Sequence, residues 1–363
     1  MRLLSRTVVA FALVSVLGSA GIQAAAGSQR VAEPAGDDWS RLALADTLFQ
    51  SLQADSALVL LDNIRAKPRR AAIDSLARVA NDSLTRAVCL KQGEILATIG
   101  RSQAAVPILR EMLSSLDGPR DDRWRCRAER WLAYSLELQG RSAEATAHYA
   151  RVLELAQSLG DREHEGYARL GLAYLRMLGG EAADAVEGFE QAIGLFHQLG
   201  LGRFEILAMT GLGCSYERIG DMDRAVDIFT RISREARRLK DPWTLAYTLN
   251  NLGGLEYQRG DPAAAVGLFE QAVDLHLKNM NPEGSLVPAK SLATAQSELG
   301  RFEDAATALE NALDLCVREG FRARRPALLE QLGTVRRHQG RLAESAATLR
   351  EALALVRGFD LEE

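Results

Sequence analysis

Five histidines could act as bases or metal ligands: His148, His164, His197, His276 and His338. None stands three or four places from another histidine or a cysteine, the spacing that brings two ligands to one helix face. His164 lies among carboxylates in "DREHEG" and reads as part of a solvated connecting loop. The stretch "GLGCSYERIG" from Gly211 imitates a dinucleotide-binding fingerprint, but Tyr216 replaces the third glycine and no strand precedes it. There is no phosphate-binding loop and no nucleophile elbow. Carboxylates are plentiful, yet they fall where pairing with Lys or Arg along a helix surface is the ordinary explanation. The expectation is a protein that is not an enzyme and carries no cofactor or metal.

Charge narrows the reading further. The net charge of -4 argues against nucleic acid, which demands a broad basic surface to displace phosphate counterions. Two basic runs stand out, "RDDRWRCRAER" from Arg120 to Arg130 and "REGFRARR" from Arg318 to Arg325. Each reads first as a solvated face. Their functional counterpart is attraction of an acidic segment on a partner, weakened by salt.

The elements that position these residues follow a period of forty. Glycines recur at 100, 140, 180, 220, 260, 300 and 340. Five places after them stand Ala105, Ala145, Ala185, Ala225, Ala265 and Ala305, then Ser345. Nine places after them come Leu109, Tyr149, Phe189, Phe229, Phe269, Leu309 and Leu349. Leucine stands eight before each glycine, except for Gln92, and a small residue follows it: Gly93, Ala133, Ala173, Gly213, Gly253, Ala293 and Gly333. Each unit reads as a helix hairpin, its glycine ending the first helix at positive φ and the small residues letting the two backbones approach. Helices of about 15 residues, roughly 23 Å long, are expected. A lone hairpin would leave one apolar face wet, so the units must stack. Asp241 and Pro242 mark one helix start independently, as N-cap and first helical residue.

This pattern resembles the tetratricopeptide repeat over residues 85–358, in a variety longer than the usual 34 residues. The resemblance implies an all-α, right-handed solenoid of stacked antiparallel hairpins with a concave groove lined by first-helix residues. Carried over by register, the groove residues are Arg127, Arg130, Tyr134, Glu137, Tyr167, Tyr174, Met177, Thr210, Glu217, Arg218, Tyr247, Asn250, Tyr257, Gln258, Lys290 and Arg337. The implied job is a non-enzymatic scaffold that binds an extended peptide or partner protein there. An alternative is a sensor or substrate-recruiting subunit for a separately encoded enzyme, such as a caspase-like protease or regulator. Some family members clamp a peptide's terminal carboxylate, but this chain lacks that set in register, since Asn250 has no neighbouring lysines. The tyrosines on this face serve either contact or packing between units.

The ends are less regular. Residues 1–26 have the order of a secretory signal peptide, with Arg2 and Arg6, an uncharged run from Thr7 to Ile22 and "AAA" at the cleavage site. Export to the periplasm or outside is expected. An uncleaved membrane anchor is the alternative, although the run falls short of the roughly 20 residues that span a bilayer. Residues 27–39 read as a linker, 40–84 as a degenerate first repeat with Leu52 in place of the glycine, and 359–363 as a tail. A longer helix is expected within 69–98. The last helix is as apolar as internal ones, so Leu349, Leu353 and Val356 are a candidate docking face for a partner or a second copy. Cys89, Cys126, Cys214 and Cys316 are expected as thiols. The first two lie on neighbouring first helices, with axes about 8–10 Å apart and a turn of offset, beyond the reach of a disulfide.

Overall fold

A computed structural model describes residues 38–51, 53–66 and 75–359. The expected signal peptide, residues 27–37 of the expected linker, Leu52, residues 67–74 of the expected first-repeat segment and residues 360–363 lie outside the described residues. Every regular element among the described residues is helical. The fold is an all-α solenoid of antiparallel hairpins. Its contacts divide into two compact units, up to Ser215 and from Tyr216 onward.

The N-terminal unit holds α1 (Asp38–Gln50), α2 (Ala54–Ala66), α3 (Ser75–Thr98), α4 (Ser102–Ser114), α5 (Asp122–Leu138), α6 (Ser142–Leu159), α7 (Arg162–Gly179), α8 (Ala182–Gln198) and most of α9 (Gly202–Ile219). The 24-residue α3 takes up the surplus between the worn first hairpin and the regular array. The C-terminal unit continues with α10 (Met222–Leu239), α11 (Pro242–Gln258), α12 (Pro262–Lys278), α13 (Leu286–Glu298), α14 (Phe302–Glu319), α15 (Arg325–His338) and α16 (Leu342–Phe359). In each unit the first helices also touch one another: α3 meets α5 and α5 meets α7, and likewise α11 meets α13 and α13 meets α15. They therefore form one layer, and the second helices form the other.

The pattern of small and large residues makes this layering possible. The alanine five places after the turn is fully buried in every unit that has one. Where Ser345 replaces it, the hydroxyl donates to the Gly333 carbonyl at 2.7 Å, which shows how closely the two helices approach. The bulky residue nine places after the turn lies over the small one of its own hairpin: a Cβ added to Gly253 would stand 2.7 Å from Phe269. It also reaches the following hairpin, for Tyr149 fills the space beside Gly171, and Phe189 that beside Gly211.

The helices run to 17 or 18 residues in α5 through α8, longer than expected. The reason is a second tight turn. Besides the turn glycines of the hairpins, Gly160, Gly200 and Gly320 have positive φ, and Lys240 and Met280 take the same conformation at φ 53° and 55°. From Gly140 to Gly340 a left-handed residue thus closes a helix every twenty positions. Asp161, Asp221, Asp241 and Asp261 cap the next helix by accepting backbone N–H bonds. The four cysteines are buried and form no disulfide. No helix among the described residues is long and apolar enough to cross a membrane.

Candidate functional site

The first-helix layer of the N-terminal unit encloses a groove of about 810 Å³. One wall is α5. Arg123, Arg127 and Arg130 recur on it at four and then three residues, which places all three along one helix face and on the groove. Lys91 of α3 and Arg203 of α9 add positive charge, whereas Glu94, Asp161 and Glu163 bring carboxylates.

Those carboxylates are already engaged. Glu94 pairs with Lys91 at 2.8 Å, Asp161 caps α7, and Glu163 accepts the Tyr167 hydroxyl at 3.1 Å. Arg123 and Arg127 are exposed and form no ion pair among the described residues. The other basic run behaves as an ordinary surface, with Arg324 paired to Glu283 and Arg325 to Glu351.

Arg130 marks the passage from the groove to a smaller cavity of about 60 Å³ beneath it. Its guanidinium carbon lies 3.5 Å from the centre of the Tyr167 ring and 4.4 Å from that of Trp131. Both rings border both spaces. The inner cavity is walled by Tyr134 and Glu137 of α5, Tyr149 of α6, Tyr174 of α7, Phe189 of α8 and Thr210 of α9. Small residues make room for these rings, since Gly171 and Gly211 lie directly against Tyr149 and Phe189.

The one carboxyl group in this aromatic enclosure is Glu137. Tyr149 Oη donates to its Oε2 at 2.8 Å. Burial raises its pKa from 4.5 to about 7, against the opposing pull of the Tyr149 hydrogen bond. Burial also pushes the Tyr134, Tyr167 and Tyr174 hydroxyls up, so these stay protonated across the physiological range. His164 is the third residue of α7 and buried, not part of a solvated loop. The loop shrinks because Gly160 turns the chain in one residue and Asp161 caps α7 at once. The His164 pKa is lowered by burial and by the charge of Arg130, which outweigh Asp161.

Of the residues expected on the concave face, Arg127, Arg130 and Tyr167 border the groove, and Arg130, Tyr134, Glu137, Tyr167, Tyr174 and Thr210 border the inner cavity. Met177 does neither. It is fully buried, because it stands four residues after Ala173 and so shares that residue's inward face. In the C-terminal unit Gln258 donates to Glu217 at 2.7 Å, and Lys290 offers its carbonyl to Gln331. Arg218 and Arg337 are exposed, and Tyr247, Asn250 and Tyr257 are half-buried. Leu349, Leu353 and Val356 are 39%, 50% and 45% exposed on α16.

Trp131, Tyr149, Phe204 and His164 complete the site without having been singled out as contacts. Tyr149 carried a legible signal, for it is the only wedge in the series with a polar tip, and a buried tyrosine hydroxyl needs a partner. Nothing local distinguishes Phe204. Among the described residues no three His, Cys, Asp or Glu side chains are grouped to hold a metal ion.

Residues 205–278 and 244–318 match a family model described as tetratricopeptide repeat, and residues 291–358 match a second with the same description. No curated protein matches the chain. Among solved structures, a Rap protein complexed with Competence and Sporulation Factor aligns at 13% identity and TM-score 0.58, covering 90% of this chain and 99% of that one. The apo form of the quorum sensor NprR from B. thuringiensis aligns at 15% identity and TM-score 0.59, over 88% and 98%. A signal transduction ATPase with a tetratricopeptide repeat sensor, from Pyrococcus horikoshii, gives 13% identity and TM-score 0.65 over 92% of this chain and 54% of that one. This chain thus spans about half the length of that ATPase. At such identities the likeness is one of fold.

Proposed function

The chain belongs to the tetratricopeptide repeat proteins, and on that premise we propose that it is a non-enzymatic interaction scaffold whose N-terminal unit binds an extended acidic segment of a peptide or partner protein. The carrying observation is the arginine stripe. Arg123 and Arg127 face a roomy groove with no carboxylate of their own, while the groove's carboxylates are already engaged. From Arg123 to Arg130 the stripe rises about 10 Å along α5, the length of about three extended residues. Two of the similar structures support the class of ligand: the Rap protein is complexed with Competence and Sporulation Factor, and NprR has been solved with its cognate peptide NprX. Export, as the N-terminal residues suggest, is part of the same proposal.

The test is fluorescence polarisation with labelled decapeptides whose central residues are Glu, Gln or Lys, at two salt concentrations. Acidic peptides should bind best, and tenfold more salt should weaken them by an order of magnitude or more. Arg123→Glu with Arg127→Glu should abolish the preference. Equal binding of the Glu and Gln peptides would refute it.

A second surface carries the alternative reading, recruitment to a separately encoded enzyme or to another copy of the chain. Leu342, Leu349, Leu353 and Val356 expose apolar area along α16, the kind of patch that marks an interaction surface. Sedimentation at rising concentration tests self-association, and a Leu353→Asp variant should abolish it.

A further inference from the structure

Beneath the groove the protein encloses a carboxyl group within aromatic rings, and the arrangement has a chemical preference. We propose that this inner cavity is a subsite for a primary alkylammonium group, the end of a lysine side chain in the bound segment, which pairs with Glu137. This deepens the acidic-segment reading and rests on it for the source of the lysine.

The ring faces are the first reason. The negative face of a tyrosine or tryptophan attracts cations, and the attraction grows as water is excluded. Here the rings already hold one, the guanidinium of Arg130 against Tyr167 and Trp131. The end of the cavity at Glu137 has no cation. Glu137 forms no ion pair among the described residues, and its sole hydrogen bond there is the one from Tyr149 to Oε2, which leaves Oε1 without a donor. A carboxylate largely shielded from water and lacking a counter-charge is costly. An incoming ammonium relieves that cost, and an incoming carboxylate would double it. A purely apolar side chain would expel the remaining water and give the carboxylate nothing in return.

Size is the second reason. An apolar cavity of about 150 Å³ accommodates benzene, and this one, at about 60 Å³, is less than half as large. It excludes an aromatic side chain but admits an ammonium with its last methylenes. The stem of a lysine matches the apolar walls provided by Leu170 and Leu207. The rise of burial-driven proton affinity at Glu137 agrees with a carboxyl group short of a positive neighbour.

The experiment compares two acidic decapeptides that differ at one position, lysine against norleucine, on the full chain and on its Glu137→Gln variant. The lysine peptide should bind about tenfold tighter to the wild type, and the Gln variant should lose that margin while its circular dichroism is unchanged. Equal or tighter binding of norleucine to the wild type overturns the subsite, as does a lysine margin that survives Glu137→Gln. If no acidic peptide binds, the scaffold reading fails separately, and the subsite is judged by titrating n-butylammonium against n-butanol while following the Trp131 indole and tyrosine ring signals by NMR. A saturable shift with the amine alone, lost in Glu137→Gln, upholds the ammonium site; no saturable shift overturns it. Cadaverine distinguishes the source: if it binds tighter than the lysine peptide, the ligand is a free amine and the lysine assignment falls. Tyr149→Phe is the second variant, since it removes the hydroxyl that holds Glu137 but keeps the ring, and it should reduce the lysine margin without abolishing it.

Discussion

Replacing Glu137 with glutamine should stabilise the protein at pH 8 and not at pH 4.5. The carboxyl's pKa rises from 4.5 to about 7 on folding, chiefly by burial. A raised folded-state pKa means that the native protein holds this proton more tightly than the unfolded chain does. The resulting stabilisation is complete below pH 4.5 and is lost as pH climbs through 7. At about 1.4 kcal/mol for each tenfold change in proton affinity, the full displacement corresponds to a ceiling of about 3 kcal/mol. Glu137 keeps some solvent contact through the cavity, so about 1–2 kcal/mol is the expected loss. Glutamine keeps the acceptor for Tyr149 and carries no charge, so it escapes the loss. Urea unfolding followed by far-ultraviolet circular dichroism at pH 4.5, 6 and 8 measures the difference between variant and wild type, in which other titrating groups cancel. That difference should move in favour of the variant by about 1–2 kcal/mol between pH 4.5 and 8. A difference constant across this range would refute the reasoning, and so would a Glu137 carboxyl titrating near pH 4.5 by carbon NMR.

Further perturbations test the architecture. Adjacent glycines in α11 should respond oppositely: a Cβ at Gly253 would stand 2.7 Å from Phe269, whereas one at Gly254 meets nothing within 4 Å. Gly253→Ala should therefore cost about 1–3 kcal/mol, and Gly254→Ala should gain up to about 1 kcal/mol from helix propensity, both read by thermal unfolding. Met280→Gly should stabilise by about 0.5–1 kcal/mol, since Met280 has φ 55° and is 74% exposed, leaving no packing to lose. His276 should remain neutral down to about pH 4, because burial lowers its pKa from 6.5. The Gly284 N–H donates to Asn281 Oδ1 and so orients the Asn281 amide, whose Nδ2 lies 3.0 Å from His276 Nδ1 and forces that nitrogen to accept. With a depressed folded-state pKa, its contribution to stability is present above pH 6.5 and lost as pH falls toward 4. NMR titration of the ring protons should show a midpoint near 4, and a midpoint near 6.5 would contradict the burial argument.

The period of forty was legible without a structure because hairpins are local. A turn glycine, a small residue and a wedge must recur at fixed offsets wherever two helices cross at close range, and the pattern records that directly. The second set of turns was harder to see, since Lys240 and Met280 occupy two of its positions and neither residue type announces a left-handed conformation. Register placed Tyr134, Glu137, Tyr167 and Tyr174 on one face, and the structure brings all four to one cavity; it placed Met177 with them, although that side chain is fully buried.

What the sequence by itself determined is the repeating hairpin, because it follows from residue spacing along single helices; that first helices line a groove was implied by the family resemblance. Only the tertiary structure decided that Tyr149, a packing wedge by its position, donates to Glu137 on the neighbouring helix, and that Phe204 and Arg130 meet Tyr167. The meetings at Tyr167 depend on how successive hairpins lean on one another, and the one at Glu137 on how the two helices of a hairpin cross. Such angles are set by side-chain volumes at many contacts together, and no single stretch of sequence carries them.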